Sequence, residues 1–311
     1  MNETVSNWIR TFMSRVELPQ EAFVYFDALL TRIFSDEKVS YIYNELYERY
    51  FVYENADIAH LDNDVLPVAA IVDVPARSIA FLLLMQASMI IKRAFCEKCI
   101  DDDLFWDSMR DFKSKLIECR QVKGEWGSFV EGWLWDWKKV ERLTLGRFTY
   151  SKKKLEEDYI LPDRRVVPAG HLKLECHIPS NMGPLTDEVR YDSYKRAWDH
   201  FKDVLQDGLL IISCSSWLLY PRHKEFLPAG SNILRFMDDF DIISGIEQEE
   251  FKDAWRIFGS EWGQPLEQLP EDTSLRKVYK EWLLGNRRAG RGYGILVIDE
   301  NGIANKNGGQ M

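Results

Sequence analysis

Positive charge is what this 311-residue chain is short of. Fifty Asp and Glu stand against 40 Lys and Arg, a formal net charge of −10. Non-specific nucleic-acid binding needs cations that displace counterions, and an anionic membrane surface repels an acidic chain. No nucleic acid and no membrane are therefore expected as partners. Cysteine is sparse too. Five cysteines are an odd number and too few for a disulfide framework in a chain of this length. Cys96 and Cys99 form a lone CxxC, with no second Cys pair or His pair at zinc-site spacing. A structural role is expected for that pair, and no metal. No apolar leader is visible in MNETVSNWIRTFMSR, and the longest apolar run, Ile79–Ile91, is shorter than a bilayer requires. That run reads as a buried core helix. The two absences place the chain in the cytoplasm as an expectation.

Apolar residues are plentiful at 46%, and aromatics reach 13% with 11 Trp, so sizeable cores can form. Up to about residue 120 the apolar pattern has helical spacing: Ala22, Phe23, Phe26, Leu29, Leu30 and Ile33, then Tyr43, Leu46, Tyr47 and Tyr50. Asp103 is a candidate cap for a helix burying Leu104, Phe105, Met109, Phe112 and Leu116. The segment GEWGSFVEGWLWDWKK then concentrates three Gly and four Trp. It reads as a junction that supplies either packing between domains or an aromatic ligand wall. The reading is an α+β chain, an all-helical N-terminal domain over 1–138 followed by a mixed β-sheet domain with flanking helices over 139–311.

Strand patterns dominate the second half. Candidates are Leu143–Tyr150, Leu172–His177, Leu209–Ser213, Ile233–Ile243 and Gly292–Ile298, with LPDRRVVPAG as a turn-rich link. Leu172–His177 alternates, with Lys173, Glu175 and His177 on one face. Thr186 can cap a helix running to about Gln206. Leu209–Ser213 is apolar without alternation, as expected of a parallel strand covered on both faces. The tail GIANKNGGQM is expected to fray.

The stretch Gly170–Ser216 therefore reads as strand, turn, helix, strand. A right-handed parallel crossover brings His177 and the trio Cys214, Ser215 and Ser216 to one sheet edge, the place where open α/β sheets bind ligands. His177 titrates near neutral pH and can serve as a general base, with Glu175 two residues away to orient it near Cys214 or Ser216. Alternatively His177 only hydrogen-bonds the turn that follows. A Cys or Ser hydrolase would use Cys214, Ser215 or Ser216 as nucleophile, although no G-x-S-x-G elbow is present. Cys176 points away from His177 in a regular strand. The turn Ser180–Leu185 (SNMGPL) can offer backbone N–H groups to a phosphate, against the opposing charges of Asp187 and Glu188. Arg276, Lys277, Lys280, Arg287, Arg288 and Arg291 crowd one region opposed mainly by Glu281. They form either a receptor for a phosphorylated ligand or a solvated helix face.

ECHIPSNMGPLT, CSSWLLYP, LPAGSNILRF and SLRKVYKEWLLGNRRAGRGYG together resemble a bacterial family of two-domain N-acyltransferases. FWDSMRDFK and WLWDWKKVERLTLGRFTY look like that family's junction. The resemblance implies a helical N-terminal domain and a GNAT-like C-terminal domain, in which two central parallel strands splay around acyl-CoA or acetyl-CoA. It implies transfer of the acyl group to an amine of a small-molecule or peptide acceptor by direct attack. On that reading His177 would serve as base, supported by Glu175, and Ser216 or Cys214 would contact the thioester region or the leaving thiol. Backbone at Glu175–His177, Cys176 included, would hold the pantetheine arm. The turn with Ser180, Asn181 and Gly183 would lie near the pyrophosphate, and Arg287, Arg288 and Arg291 are further phosphate candidates. The family's Q/R-x-x-G-x-G/A loop is absent, with SNMGPL in its place. A catalytically degenerate module that keeps the fold and only binds is the alternative implication.

Overall fold

The computed structural model describes residues 2–54, 56–130, 132 and 134–305. The chain divides into two compact units after Leu143.

The first unit is helical. Its longest helix, Ala76–Glu97, buries residues nearly all round, from Ser78 through Ser88. That helix is long and apolar enough to cross a membrane, but 67% of its most apolar window is buried inside the protein. It is the core element around which Asn2–Arg15, Gln20–Ser35 and Asp111–Lys123 pack, through ring contacts such as Phe26–Phe81 and Phe81–Phe112. Two of its serines are hydrogen-bonded: Ser78 Oγ donates to the Trp126 carbonyl, and Trp8 Nε1 donates to Ser88 Oγ. Asp101, one turn before Leu104 and Phe105, supplies the cap that the sequence assigns to Asp103; its side chain accepts from Asp103 N. In the Trp-rich segment, Gly124 ends the preceding helix in the left-handed region at φ +71°. Trp137 is fully buried, and Glu131 and Trp133 lie outside the described residues. Cys96 and Cys99 are exposed free thiols at the C-terminal end of the long helix.

The second unit is a curled mixed sheet with flanking helices, an α+β arrangement. Its strands are β1 Arg142–Leu145, β2 Phe148–Lys154, β3 Tyr159–Ile160, β4 Val166–Val167, β5 Leu172–His177, β6 Leu210–Ser216, β7 Asp241–Glu247, β8 Gly290–Asp299 and β9 Gly302–Ile303. The main sheet runs β1-β2-β5-β6-β8-β7, with β9 on β8, and β3-β4 form a separate pair. β5 and β6 are parallel, joined through the helix Asp187–His200; β2–β5, β6–β8 and β7–β8 are antiparallel. Leu209 and Ile211 are buried under Leu155, Tyr159, Leu161 and Val167. The helix Asp187–His200 meets β2 through stacked Tyr194 and Phe148, with ring centroids 5.6 Å apart.

Three sequence expectations change. Leu143–Tyr150 is two strands, β1 and β2, because Gly146 at φ +67° turns the chain between them. Ile233–Ile243 is a helix, Asn232–Asp238, followed by β7. The Ser231 hydroxyl caps that helix by accepting from Leu234 N, and Phe236 and Met237 fall on its buried side. The crossover helix stops at His200 rather than near Gln206, followed by a 3₁₀ turn at Lys202–Val204. In the tail, Gly302 and Ile303 form β9, and residues 306–311 lie outside the described residues.

Candidate active site

β5 and β6 pair over two positions only, Leu174 opposite Ile212 and Glu175 opposite Ser213. Beyond them each strand continues, to His177 and to Ser216, with no pairing between the two. The backbone of both ends keeps its ladder on the outer side, β5 with β2 and β6 with β8. The inner donors and acceptors are thus turned toward a gap that something other than a strand must satisfy. A cavity of about 90 Å³ opens in this gap, lined by Cys176, His177, Ile178, Cys214, Ser215, Ser216, Trp217, Leu218, Asp253, Arg256 and Arg291.

Register decides which side chains share a face. Leu174 and Ile212 face one way, and by alternation so do Cys176, Cys214 and Ser216. Glu175, His177, Ser213 and Ser215 face the other. On that second face Lys173 Nζ donates to Tyr293 Oη at 3.1 Å. The sequence reading put Glu175 and His177 near Cys214 or Ser216; the register gives them Ser213 and Ser215 instead, and the gap brings Cys214 and Ser216 in from the opposite face. Glu175 is exposed and is not among the residues that line the cavity. Cys176 and Cys214 are both buried, and their thiols hydrogen-bond each other. Burial first, and that bond second, push the Cys176 thiol well above its ordinary range, which disfavours a thiolate. Ser216 Oγ accepts from Leu218 N at 3.2 Å and so caps the 3₁₀ turn Trp217–Leu219. Its hydroxyl proton still has the gap beside it.

The cationic wall joins Arg291, which the sequence singled out, to Asp253 and Arg256, which it did not. Asp253 holds Arg256 at 3.1 Å and Arg291 at 3.9 Å, and Arg291 Nη2 donates to the Ser215 carbonyl at 3.2 Å. Two guanidinium groups therefore border the gap with one carboxylate between them. Of the basic cluster near the C-terminus, Arg291 alone lines this cavity. Arg287 lies 4.6 Å over the Trp282 ring, in a separate depression with Phe226 and Val278. The Arg288 carbonyl accepts from Trp282 Nε1 and Tyr220 Oη. Arg276 pairs with Asp272, and Lys280 with Glu271.

The first two glycines of GRGYG, residues 290–294, serve close packing. A Cβ on Gly292 would meet the Leu219 carbonyl oxygen at 2.0 Å, and one on Gly290 the Ile246 carbonyl oxygen at 2.1 Å. Their absence lets Trp217–Leu219 cross β8 in contact and form the cavity wall. Behind it, His223 is buried and its Nε2 is hydrogen-bonded to Tyr279 Oη. Burial holds the His223 imidazole at about 4, well below its ordinary 6.5.

The loop after β5 is shaped from beneath. Arg147, in the β1–β2 turn, donates from Nη1 to the Pro179 carbonyl at 2.9 Å and from Nη2 to the Gly183 carbonyl at 3.0 Å. Gly183 takes φ +80°, and Asn181 Nδ2 donates to Ser180 Oγ at 3.0 Å. Ser180, Asn181 and Gly183 stand outside the residues that line the gap. At the helix start, Asp187 is matched by Arg190 at 3.0 Å and Arg235 at 3.5 Å. The acidic start that the sequence sets against an anion is thus largely neutralised at Asp187. Glu188 remains exposed, and backbone and Thr186 hydrogen bonds keep its carboxyl below the usual range. Among the described residues no group of three His, Cys, Asp or Glu is placed to hold a metal ion.

Comparison with known proteins adds to this geometry. The family model for an N-acyltransferase N-terminal domain matches residues 8–138, and the one for a GNAT-like C-terminal domain matches 143–296. Solved structures share the fold over 92% of this chain and 86% of theirs. One is an acyltransferase in complex with decanoyl-CoA, at 21% identity and TM-score 0.69. Another is an acyltransferase mutant with octanoyl-CoA, at 20% and 0.68. A third holds decanoyl-CoA and teicoplanin, also at 20% and 0.68. No curated protein matches the chain.

Proposed function

For a chain that belongs to the two-domain N-acyltransferases with a GNAT-like C-terminal domain, we propose acyl transfer from an acyl-CoA thioester to an amine acceptor by direct attack. The observation that carries this reading is the parting of β5 and β6 after Glu175 and Ser213. The gap leaves the inner edges of both strand ends without a strand partner, an edge suited to the amide groups of a pantetheine arm. The acyl-CoA complexes of structures with the same fold support the donor class, and the teicoplanin complex is consistent with a small-molecule or peptide acceptor.

The residues at the gap fit the chemistry. His177 takes the proton that the amine loses as its nitrogen bonds to the thioester carbon. Arg291 and Arg256 bring positive charge to the side where the carbonyl oxygen becomes an oxyanion. As the C–S bond breaks, the Ser216 hydroxyl donates a hydrogen bond to the leaving thiolate, which takes up a proton from solvent while the His177 imidazolium releases the one it took from the amine, so the proton count closes. Cys176 and Cys214, buried against each other, are disfavoured as nucleophiles, so no acyl-enzyme is needed.

Calorimetric titration with octanoyl-CoA, followed by thiol-release assays with a panel of primary amines, tests this. The reading expects saturable binding and amine-dependent release. Absence of binding contradicts it, and release without any amine points to hydrolysis instead.

A further inference from the structure

Arg147 stands out among the buried charges of the second unit. Its side chain is 7% exposed, and burial lowers its pKa to about 10. Its only hydrogen bonds among the described residues go to two neutral carbonyls, of Pro179 and Gly183, and its Nε is buried with no partner. The other deeply buried arginine, Arg190, is handled differently: Asp239 binds it through Nε at 2.6 Å and Nη2 at 3.3 Å. A buried guanidinium facing only carbonyls is costly, because dipoles offset less of its lost hydration than a carboxylate does. The structure spends that cost under one loop. The loop follows directly from Cys176, His177 and Ile178 at the gap and runs into the N-terminus of the fourteen-residue helix Asp187–His200. Pulling the Pro179 carbonyl toward Arg147 also turns the N–H of Ser180 to the opposite side, since the two are antiparallel across a trans peptide.

We propose that Arg147 is the positioning residue for the phosphate-bearing end of the donor. It pins Pro179–Gly183 and sets an uncompensated positive charge beneath the loop, so that CoA thioesters are preferred over phosphate-free pantetheine thioesters. This rests on the acyl-CoA reading above, and it assigns to the β1–β2 turn the charge that a glycine-rich loop would otherwise replace with backbone N–H groups.

The test is calorimetry with CoA and with pantetheine on the full chain and on Arg147→Met and Arg147→Lys. The wild type is expected to bind CoA at least about tenfold more tightly than pantetheine, as charge-assisted contacts imply. Arg147→Met is expected to weaken CoA about tenfold and leave pantetheine unchanged. Arg147→Lys, which keeps the charge, is expected to recover most of the CoA affinity. Equal losses for both ligands in Arg147→Met, or none for either, overturn the proposal. If Arg147→Met does not fold, Arg147→Lys decides alone: loss of pantetheine affinity to the same extent as CoA overturns it. Wild-type protein that binds CoA and pantetheine equally sinks this inference and leaves the acyltransferase reading standing. Wild-type protein that binds neither sinks both.

Discussion

Glu175 stands opposite Ser213, and that is the last position at which β5 and β6 pair. One residue later the strands are apart, with Cys176 and Cys214 at the start of the gap and His177 and Ser216 lining it. The consequence is a slot walled by backbone, open to a linear ligand, with titratable groups at its mouth. The predictions below follow from how the slot is built and held.

His177→Ala should lower kcat about a hundredfold or more, the ordinary worth of a positioned base. The KM for the thioester should stay within about twofold. Steady-state kinetics with octanoyl-CoA and the best amine from the panel would check this, and an unchanged kcat would move the base elsewhere.

Gly292→Ala should destabilise the second unit by roughly 1–3 kcal/mol, the range seen for overpacking. The new methyl would meet the backbone of Leu219, which cannot rotate away as a side chain can. Thioester affinity should fall as well, because Trp217 and Leu218 line the cavity. Urea denaturation and calorimetry on one preparation would measure both.

Asp239→Ala should cost about 3–5 kcal/mol, the penalty for leaving a buried charge without its partner. It would take from Arg190, which is 1% exposed, its buried carboxylate, leave it only the half-exposed Asp187 at 3.0 Å, and remove the acceptor of Tyr194 Oη at 3.0 Å. Replacing both Arg190 and Asp239 by apolar residues should cost less than this single change. A double-mutant cycle in urea would read the difference.

Stability should fall as pH drops from about 6.5 toward 4. Burial depresses the His223 imidazole to about 4, so the unfolded chain takes up a proton in that window and the folded one does not. The stabilisation is full above about 6.5 and is lost downward, on the order of 3 kcal/mol from this residue. His171 and His200, also lowered mainly by burial, add slopes of the same sign. His223→Phe should therefore shrink the pH dependence without abolishing it, as thermal unfolding across that range would show.

Much of the slot was legible beforehand because its strands carry local signatures. The alternation of Leu172–His177 and the unbroken apolar run from Leu209 follow directly from one strand with an exposed face and another covered on both. Ile233–Ile243 misled, since a short apolar run fits either period; the hydroxyl of Ser231 just before it was the available helix signal. The face relationship failed for a different reason. Whether Ser215 or Ser216 accompanies His177 depends on a one-residue register, which no local pattern carries. Arg147, in the β1–β2 turn, and the local pair Asp253 and Arg256 were missed because only the folded chain brings those two segments to the slot and its loop. The reason for the glycines at 290 and 292 was equally out of reach, because the close approach of Ile246 and Leu219 to β8 exists only in the folded chain.

The central claim is that the gap beyond Glu175 and Ser213 is the donor site. A crystal structure with a non-transferable thioether analogue of octanoyl-CoA tests it most directly. The account predicts ligand density between Glu175–His177 and Cys214–Ser216, with the reacting carbon within reach of His177 and the phosphates beside Ser180–Gly183. Density for the ligand anywhere else, with this gap left open, would contradict it.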